Sequence, residues 1–386
     1  MITKYKPNYV VWEITWKCNA KCIHCGSDCV SKEKPDELTT DECLKIISDL
    51  HELGTRTIVL SGGDPLLRKD FPILAREIKK FGIKLEFITN GIALNDEMIE
   101  IIKELKPRAF GISLDGAEDY IHDYIRGHKG CFSHALDALI NLSKSGVVPS
   151  VITTVHKLNY PQLPMLRKII PILGVGAWQI QYADLIGRMD QNCMITEAQF
   201  KKMIEFICQT KKLYGPKYNV TGSDIAGYMT DLSVKAGMSH WQGCRAGLSV
   251  LGLGSDGTVR GCLSQQMDKY IEGNIRGCSL KDIWNNKEAF SYNRKFDITT
   301  LGGYCKECEY AEICKGGCSR SATNRSDCRC TPYCLHKIDK LGYSDEYNEK
   351  TYFTKDEIAK LYNPIKKLPK EFYELYEPCE DILSIK

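Results

Sequence analysis

The chain has 386 residues, 43% hydrophobic and 26% charged, with a formal net charge of +3. That composition excludes a disordered or fibrous polymer, and so small a charge gives no argument for nucleic acid or an anionic membrane surface as partner. The 19 cysteines are too few for a disulfide scaffold and bunch in two regions, which suits metal better than disulfides.

In chain order, short apolar runs rich in β-branched residues alternate with helix-period segments from about Val10 to Tyr214, the pattern of βα units around a parallel sheet. Six strands are predicted, near Val10–Thr15, Thr57–Leu60, Lys84–Ile88, Ala109–Leu114, Pro149–Val155 and Ala177–Tyr182, each followed by a helix. Thr39 with Glu42, and Thr196 with Gln199, fit capping boxes, and Asn95 can cap the third helix. Gly54, Gly82 and Gly146 stand where a left-handed residue would end a helix. Leu44, Ile47, Leu50 and Leu53 read as the inward stripe of the first helix. The polar and glycine residues collect in Cys18–Cys25, Ser61–Pro65, Thr89–Gly91 and Ser113–Gly116, directly after predicted strands. In α/β barrels that end of the sheet carries the chemistry.

After about Gly215 the βα rhythm ends, and from Cys244 the chain turns to short strands, Gly-rich turns and cysteines. No Ser/Gly or Pro-rich tract marks a flexible linker, so the two parts are expected to pack together. Ser255-Asp256-Gly257-Thr258 reads as a hairpin turn between apolar strands. The coincident Gly252-x-Gly254-x-x-Gly257 therefore lacks the strand–helix context of a dinucleotide site. The expected fold is α/β, a partial (β/α)6 TIM-like barrel over residues 1–235, then a cysteine-rich domain with short β-hairpins over 236–340. Residues 341–386 form an extension without an assigned role. The N-terminus lacks a signal peptide's apolar core, and no stretch approaches the roughly 20 apolar residues of a membrane span, so a cytoplasmic location is expected. The Asn-x-Ser/Thr triplets at Asn141, Asn219 and Asn324 then carry no glycosylation meaning.

Cys18, Cys22 and Cys25 form C-x3-C-x2-C in the loop after the first strand. Three such thiolates can hold three irons of a cubane cluster and leave the fourth open. Cys29 supplies a fourth sulfur, so a closed electron-transfer cluster or a four-thiolate zinc site is the competing reading. With an aromatic ring, His24, just before the third cysteine, the spacing resembles the signature of the radical S-adenosylmethionine (radical SAM) superfamily. The resemblance implies a [4Fe–4S] cluster whose open iron is chelated by S-adenosylmethionine. It also implies reductive cleavage to a 5′-deoxyadenosyl radical, which abstracts a hydrogen atom without a catalytic acid–base pair.

By the same resemblance, Ser61-Gly62-Gly63-Asp64-Pro65 matches the Gly-Gly-Glu-Pro segment that contacts the methionyl amino group, with Asp64 in place of Glu. Ser113 and Asp115 look like ribose-contacting residues, and Asn90 lies in a segment that lines the pocket. Arg126 is implied to pair with the methionyl carboxylate, as a fork of two N–H groups suits; a surface salt bridge is the alternative. His24 is expected to pack against the cluster loop with its backbone near the adenine, with metal ligand or general base as alternatives. His122, His128 and His156 have no assigned role.

In the second region Cys244, Cys262, Cys305-x2-Cys308-x5-Cys314-x3-Cys318 and Cys334 resemble the SPASM pattern, which implies two auxiliary iron–sulfur clusters. A zinc ribbon is the competing reading. Carried over by position, Cys305, Cys308, Cys314 and Cys334 hold the distal cluster, and Cys244, Cys262 and Cys318 hold a proximal one that is a ligand short. Cys278, Cys328 and Cys330 are candidates for that place, unless it is open, and Cys328 or Cys330 can also displace Cys334.

The function expected from the resemblance is hydrogen abstraction from a peptide or protein substrate, with an electron donor such as ferredoxin or flavodoxin. An incomplete barrel leaves a side open for a chain to enter. Only 17 residues precede Cys18, too few for an N-terminal leader-binding domain, which leaves room for tetrapyrrole side-chain or other small-metabolite chemistry. An iron–sulfur electron carrier or sensor is the alternative of another class.

Overall fold

The structure, a computed structural model, describes residues 4–343 apart from 32, 34–35, 224–227, 238–240 and 324–328. Six strands form where the sequence predicts them: β1 (Tyr9–Thr15), β2 (Thr57–Gly62), β3 (Lys84–Thr89), β4 (Ala109–Ser113), β5 (Ser150–Val155) and β6 (Ala177–Tyr182). They pair in parallel in chain order, connected by helices α1 (Thr40–Glu52), α2 (Phe71–Lys80), α3 (Asp96–Leu105), α4 (Asp119–Arg126), α5 (Cys131–Lys144) and α6 (Leu163–Ile169). Helix α7 (Glu197–Tyr214) leads to a further parallel strand, β7 (Asn219–Gly222), that the sequence reading did not include.

The larger departure is at the other edge. Strand β8 (Val250–Leu253) pairs in parallel with β1, from Tyr9 opposite Val250 to Trp12 opposite Leu253. A tight turn through Gly257 (φ +85°) then brings in β9 (Thr258–Arg260), antiparallel to β8, and β10 (Gly273–Asn274) follows. One ten-stranded sheet results, in the order β10-β9-β8-β1-β2-β3-β4-β5-β6-β7. An unclosed barrel leaves the N–H and C=O groups of β1 unpaired along its edge, and the hairpin of the cysteine-rich part satisfies them. The hairpin turn read at Ser255–Thr258 is therefore real, and it is also the joint between the two parts.

Helix ends follow the local chemistry. Thr39 with Glu42 and Thr196 with Gln199 form complete capping boxes, and the Asn95 side chain accepts from the Met98 N–H. In α1 the inward stripe is Cys43, Ile46, Ile47 and Leu50, while Leu44 and Leu53 are only partly buried. Cysteine behaves as a small apolar residue there, which rotates the buried arc by one position from the leucine-based reading.

The strands sort their side chains by face. Trp12 and Ile14, Ile58 and Leu60, Leu85 and Phe87, Phe110 and Ile112, and Trp178 and Ile180 are buried in the main core, where each large side chain contributes roughly 1.5–3 kcal/mol. Trp178 also places its indole N–H on Thr153 Oγ1 at 2.9 Å. The alternate residues Val11, Glu13, Ser61, Ile88, Ser113, Thr154 and Gln181 face an inner cavity, as the period of two requires. Among the described residues no helix is long and apolar enough to cross a membrane.

Candidate functional site

The loop carrying Cys18, Cys22 and Cys25 is held from three sides. The last carbonyls of α4, which have no partner within the helix, accept from it: Lys21 N–H donates to Arg126 O at 2.8 Å and Ile23 N–H to Ile125 O at 2.9 Å. From the segment after β6, Arg188 donates Nη2–H to Cys22 O at 2.7 Å and its backbone N–H to Cys25 O at 3.1 Å. From the segment after β2, Gly63 N–H reaches Thr15 O at 2.8 Å and Asp64 N–H reaches Lys17 O at 2.7 Å. These approaches leave no room for a side chain: a Cβ at Gly63 would stand 2.0 Å from Lys17 O. At Gly187, which also needs φ +56°, it would stand 2.1 Å from Cys25 O.

The loop opens into a cavity of about 400 Å³ lined by Cys18, Cys22, His24, Cys25, Ser61, Gly62, Gly63, Asn90, Ser113 and Arg126. Residues from four strand ends predicted to bind cofactor are thus brought together, in a volume within the range of small-molecule sites. Two predicted residues do not line it. Asp115 is fully buried, with Oδ1 accepting from Thr154 N–H at 2.8 Å and Oδ2 2.7 Å from Arg126 Nη2, an ion pair set off the hydrogen-bond axis. It stands behind Arg126 rather than toward a ribose, because the guanidinium claims its free oxygen. Asp64 is likewise interior: it accepts from Leu66 N–H at 3.1 Å, Thr89 Oγ1–H at 2.7 Å and Asn90 N–H at 2.8 Å, tying the Gly-Gly turn to the Thr89–Asn90 segment. Burial raises its pKa against those bonds. Asn90 in turn donates to Asn19 Oδ1 at 2.7 Å.

Arg126 is buried rather than a surface ion pair, and donates Nη1–H to Cys22 Sγ at 3.5 Å. Around it stand three histidines, His24, His122 and His156, each held near pKa 3 by burial and by Arg126 or one another, hence neutral at pH 7. The 3.6 Å approach of His24 Nε2 to Asp115 is therefore not an ion pair, and the ring faces that of His156, with centroids 5.8 Å apart. His128 places Nδ1 2.8 Å from Asn19 O. Cys29 hydrogen-bonds to both Cys18 and Cys25, which lowers both thiols, Cys25 to about 5, and raises its own. It is buried, and the cavity wall is described by the other three cysteines.

Sequence reasoning missed Glu13. Its carboxylate faces the cavity from β1, beside Ser61 in the register, and its pKa is raised by burial, with Ser27 donating to it. A lone charge inside the apolar run Val10-Val11-Trp12-Glu13-Ile14 was the available signal. Arg188 was missed too, since nothing in its local sequence marks it. Leu263, Ser264, Gln266 and Arg320, from the cysteine-rich part, complete the cavity wall. Arg320 Nε lies 3.1 Å from Asp184 Oδ2, which also accepts from Ser321 Oγ–H at 2.5 Å.

The second cysteine region sorts into two groups. Cys305, Cys308, Cys314 and Cys334 line one small cavity, and Cys330 hydrogen-bonds to Cys305 at its edge. Cys244 hydrogen-bonds to Cys318 and faces Cys262, beside the partly buried Arg320 and the buried Arg329. Of the candidates for the missing proximal place, Cys330 belongs with the distal group, Cys278 is exposed, and Cys328 lies outside the described residues. Among the described residues no three His, Cys, Asp or Glu side chains converge tightly enough for a single ion; a cubane is gripped at its corners and needs no such convergence. Three cysteines on one cavity, with guanidiniums offsetting thiolate charge, fit a cluster with an open corner.

Comparison with known proteins agrees with this geometry. Residues 12–168 match the radical SAM superfamily and residues 244–309 match SPASM, an iron–sulfur cluster-binding domain. The chain is 29% identical over 346 residues to the AdoMet-dependent heme synthase of Methanosarcina barkeri, covering 86% of this chain and 98% of that protein. It is 28% identical over 317 residues to mycofactocin maturase MftC of Mycolicibacterium smegmatis, covering 81% and 78%. Streptococcus suis SuiB bound to S-adenosylmethionine superposes with a TM-score of 0.71 at 16% identity, over 85% of this chain and 76% of that one. The structure of anSMEcpe with bound AdoMet gives 0.66 at 20% identity, over 84% and 92%. At these identities the two structures establish the fold.

Proposed function

The chain belongs to the radical SAM superfamily and carries a SPASM domain, and from that premise we propose that it is an enzyme that abstracts a hydrogen atom from a peptide or protein substrate. When bound, the cluster and S-adenosylmethionine supply an electron and the 5′-deoxyadenosyl radical. Cys18, Cys22 and Cys25 would hold the cluster. The Ser61–Gly63 backbone, Asn90, Ser113 and Arg126 would hold the nucleotide, with Asp64 and Asp115 positioning them from behind.

The observation that carries the reading is the composition of the cavity wall: the cluster loop faces Leu263, Ser264, Gln266 and Arg320, so a substrate is bounded by both parts of the chain. The guanidiniums in that wall, Arg126 and Arg320, already face Asp115 and Asp184. Among the described residues Arg320 is the one cation of the wall that the nucleotide does not take, and it is set on Asp184, which suits a peptide better than a carboxylate-rich ligand. The resemblance to MftC supports the same choice.

A tetrapyrrole side chain is the second reading, favoured by the near full-length match to the heme synthase and by 28% identity over 336 residues to the Fe-coproporphyrin III synthase of Methanosarcina barkeri. Two arms separate them. Reduced, anaerobically reconstituted enzyme with S-adenosylmethionine is given Fe-coproporphyrin III in one arm. In the other it is co-expressed with a short peptide encoded beside its gene, and both products are read by intact mass. A mass change in the peptide alone supports the first reading, and a change in the porphyrin alone replaces it with the second.

The rest of the proposal follows the same resemblance. A barrel domain over 1–235 precedes a SPASM domain over 236–340 and an extension over 341–386. The distal cluster takes Cys305, Cys308, Cys314 and Cys334, and the proximal one Cys244, Cys262 and Cys318. A ferredoxin or flavodoxin delivers the electron in the cytoplasm.

A further inference from the structure

We infer that Arg126 acts on the N-terminal cluster as well as on its ligand: the guanidinium donates an N–H to the Cys22 thiolate and so makes the cluster easier to reduce. The inference rests on the radical SAM reading of the loop.

Side chain and main chain of Arg126 reach the same loop. Its carbonyl accepts from Lys21 N–H at 2.8 Å, and the carbonyl of Ile125 accepts from Ile23 N–H at 2.9 Å, so the residues on either side of Cys22 are fixed to the end of α4. From that anchor Nη1 lies 3.5 Å from Cys22 Sγ. Asp115 sets the orientation, with its Oδ2 2.7 Å from Nη2 and its Oδ1 held by Thr154 N–H. Arg188, the other guanidinium on the loop, spends Nη2 on the Cys22 carbonyl and lies 3.4 Å from Asp28 through Nε. Of these two guanidiniums Arg126 is the one that donates to a cluster sulfur; Ala20 N–H at 3.5 Å and Asn90 Nδ2–H at 4.0 Å reach Cys18 Sγ, but neither carries a charge.

Reduction adds an electron to a cluster whose thiolates are already anionic. Hydrogen bonds to the sulfurs and nearby charge are among the levers that set its potential, and a cation only 8% exposed is poorly screened. Arg126 stabilises the reduced state more than the oxidised one, and Asp115 moderates the effect. The pair is therefore a tuning device with two arms of opposite sign.

The test is an EPR redox titration of reconstituted holoenzyme without S-adenosylmethionine, with the Cys22→Ala spectrum subtracted to isolate the N-terminal cluster. At a poise where half of the wild-type cluster is reduced, Arg126→Gln is expected to lower the reduced-to-oxidised ratio about tenfold, a midpoint about 59 mV more negative for one electron. Arg126→Lys should fall between the two, and Asp115→Asn should move the midpoint the other way. General disruption of the loop would shift both variants in one direction and would overturn the inference. An unchanged midpoint in Arg126→Gln with weaker S-adenosylmethionine binding would reduce the residue to a cofactor contact. Wild-type and Cys22→Ala spectra that coincide would remove the cluster reading itself, and this inference with it.

Discussion

Replacing Asp64 tests whether the residue that departs from the family's Gly-Gly-Glu-Pro segment holds the site together. Its carboxylate is 1% exposed and accepts three hydrogen bonds, from Leu66 N–H, Thr89 Oγ1–H and Asn90 N–H. Truncation to alanine leaves three interior donors without an acceptor, each costing about 1–3 kcal/mol. Burial raises the Asp64 pKa, so removing the carboxylate also relieves a desolvation cost. The loss should therefore sit near the lower end of the sum, about 3 kcal/mol. Asp64→Asn keeps one oxygen for the Thr89–Asn90 pair but turns an NH2 toward Leu66 N–H, for a loss of about 1–2 kcal/mol. Urea unfolding under anaerobic conditions measures both, since a shifted midpoint at constant slope reports stability directly. An alanine variant within about 1 kcal/mol of wild type would refute the reasoning, because exposed polar groups rather than buried ones would then be involved.

Gly63→Ala should abolish loading of the N-terminal cluster, because its Cβ would fall 2.0 Å from Lys17 O; iron analysis should show a loss of about four irons per chain, and full loading would contradict the close approach. Cys334→Ala should lose the distal cluster while Cys330→Ala keeps it, since only Cys334 shares the small cavity with Cys305, Cys308 and Cys314; EPR with iron content decides, and the reverse outcome would exchange the two ligands. Trp178→Ala should cost about 3–5 kcal/mol in urea unfolding, because the ring is fully buried and its N–H is satisfied by Thr153; a loss below about 1 kcal/mol would mean the core closes over the gap.

Much of the barrel is legible in the sequence because its signals are local. β-Branched runs, capping boxes at Thr39 and Thr196, and glycines at 54, 82 and 146 with φ of +82°, +70° and +83° each act within a few residues. The pairing of β8 with β1 is not legible, since it joins Tyr9 to Val250 across most of the chain and depends on an edge that exists only after the barrel forms. The cavity shows the same division. Cys18, Cys22, Cys25, Gly62 and Gly63 are marked by spacing and by conformational need. The orientations of Asp64 and Asp115 away from the cavity depend on partners 25 and more residues distant, Thr89 and Thr154. Glu13 and Arg188 act through tertiary contacts alone, and for Arg188 no local pattern exists to read.

The central claim is that Cys18, Cys22 and Cys25 hold a cluster with one corner left to S-adenosylmethionine. The most direct measurement reduces the anaerobically reconstituted chain with dithionite, adds S-adenosylmethionine, and quantifies 5′-deoxyadenosine by mass spectrometry beside Cys22→Ala. The account predicts 5′-deoxyadenosine from the wild type and none above background from the variant. Equal background in both, with the iron fully loaded, would contradict it and leave an electron carrier whose fourth corner Cys29 closes.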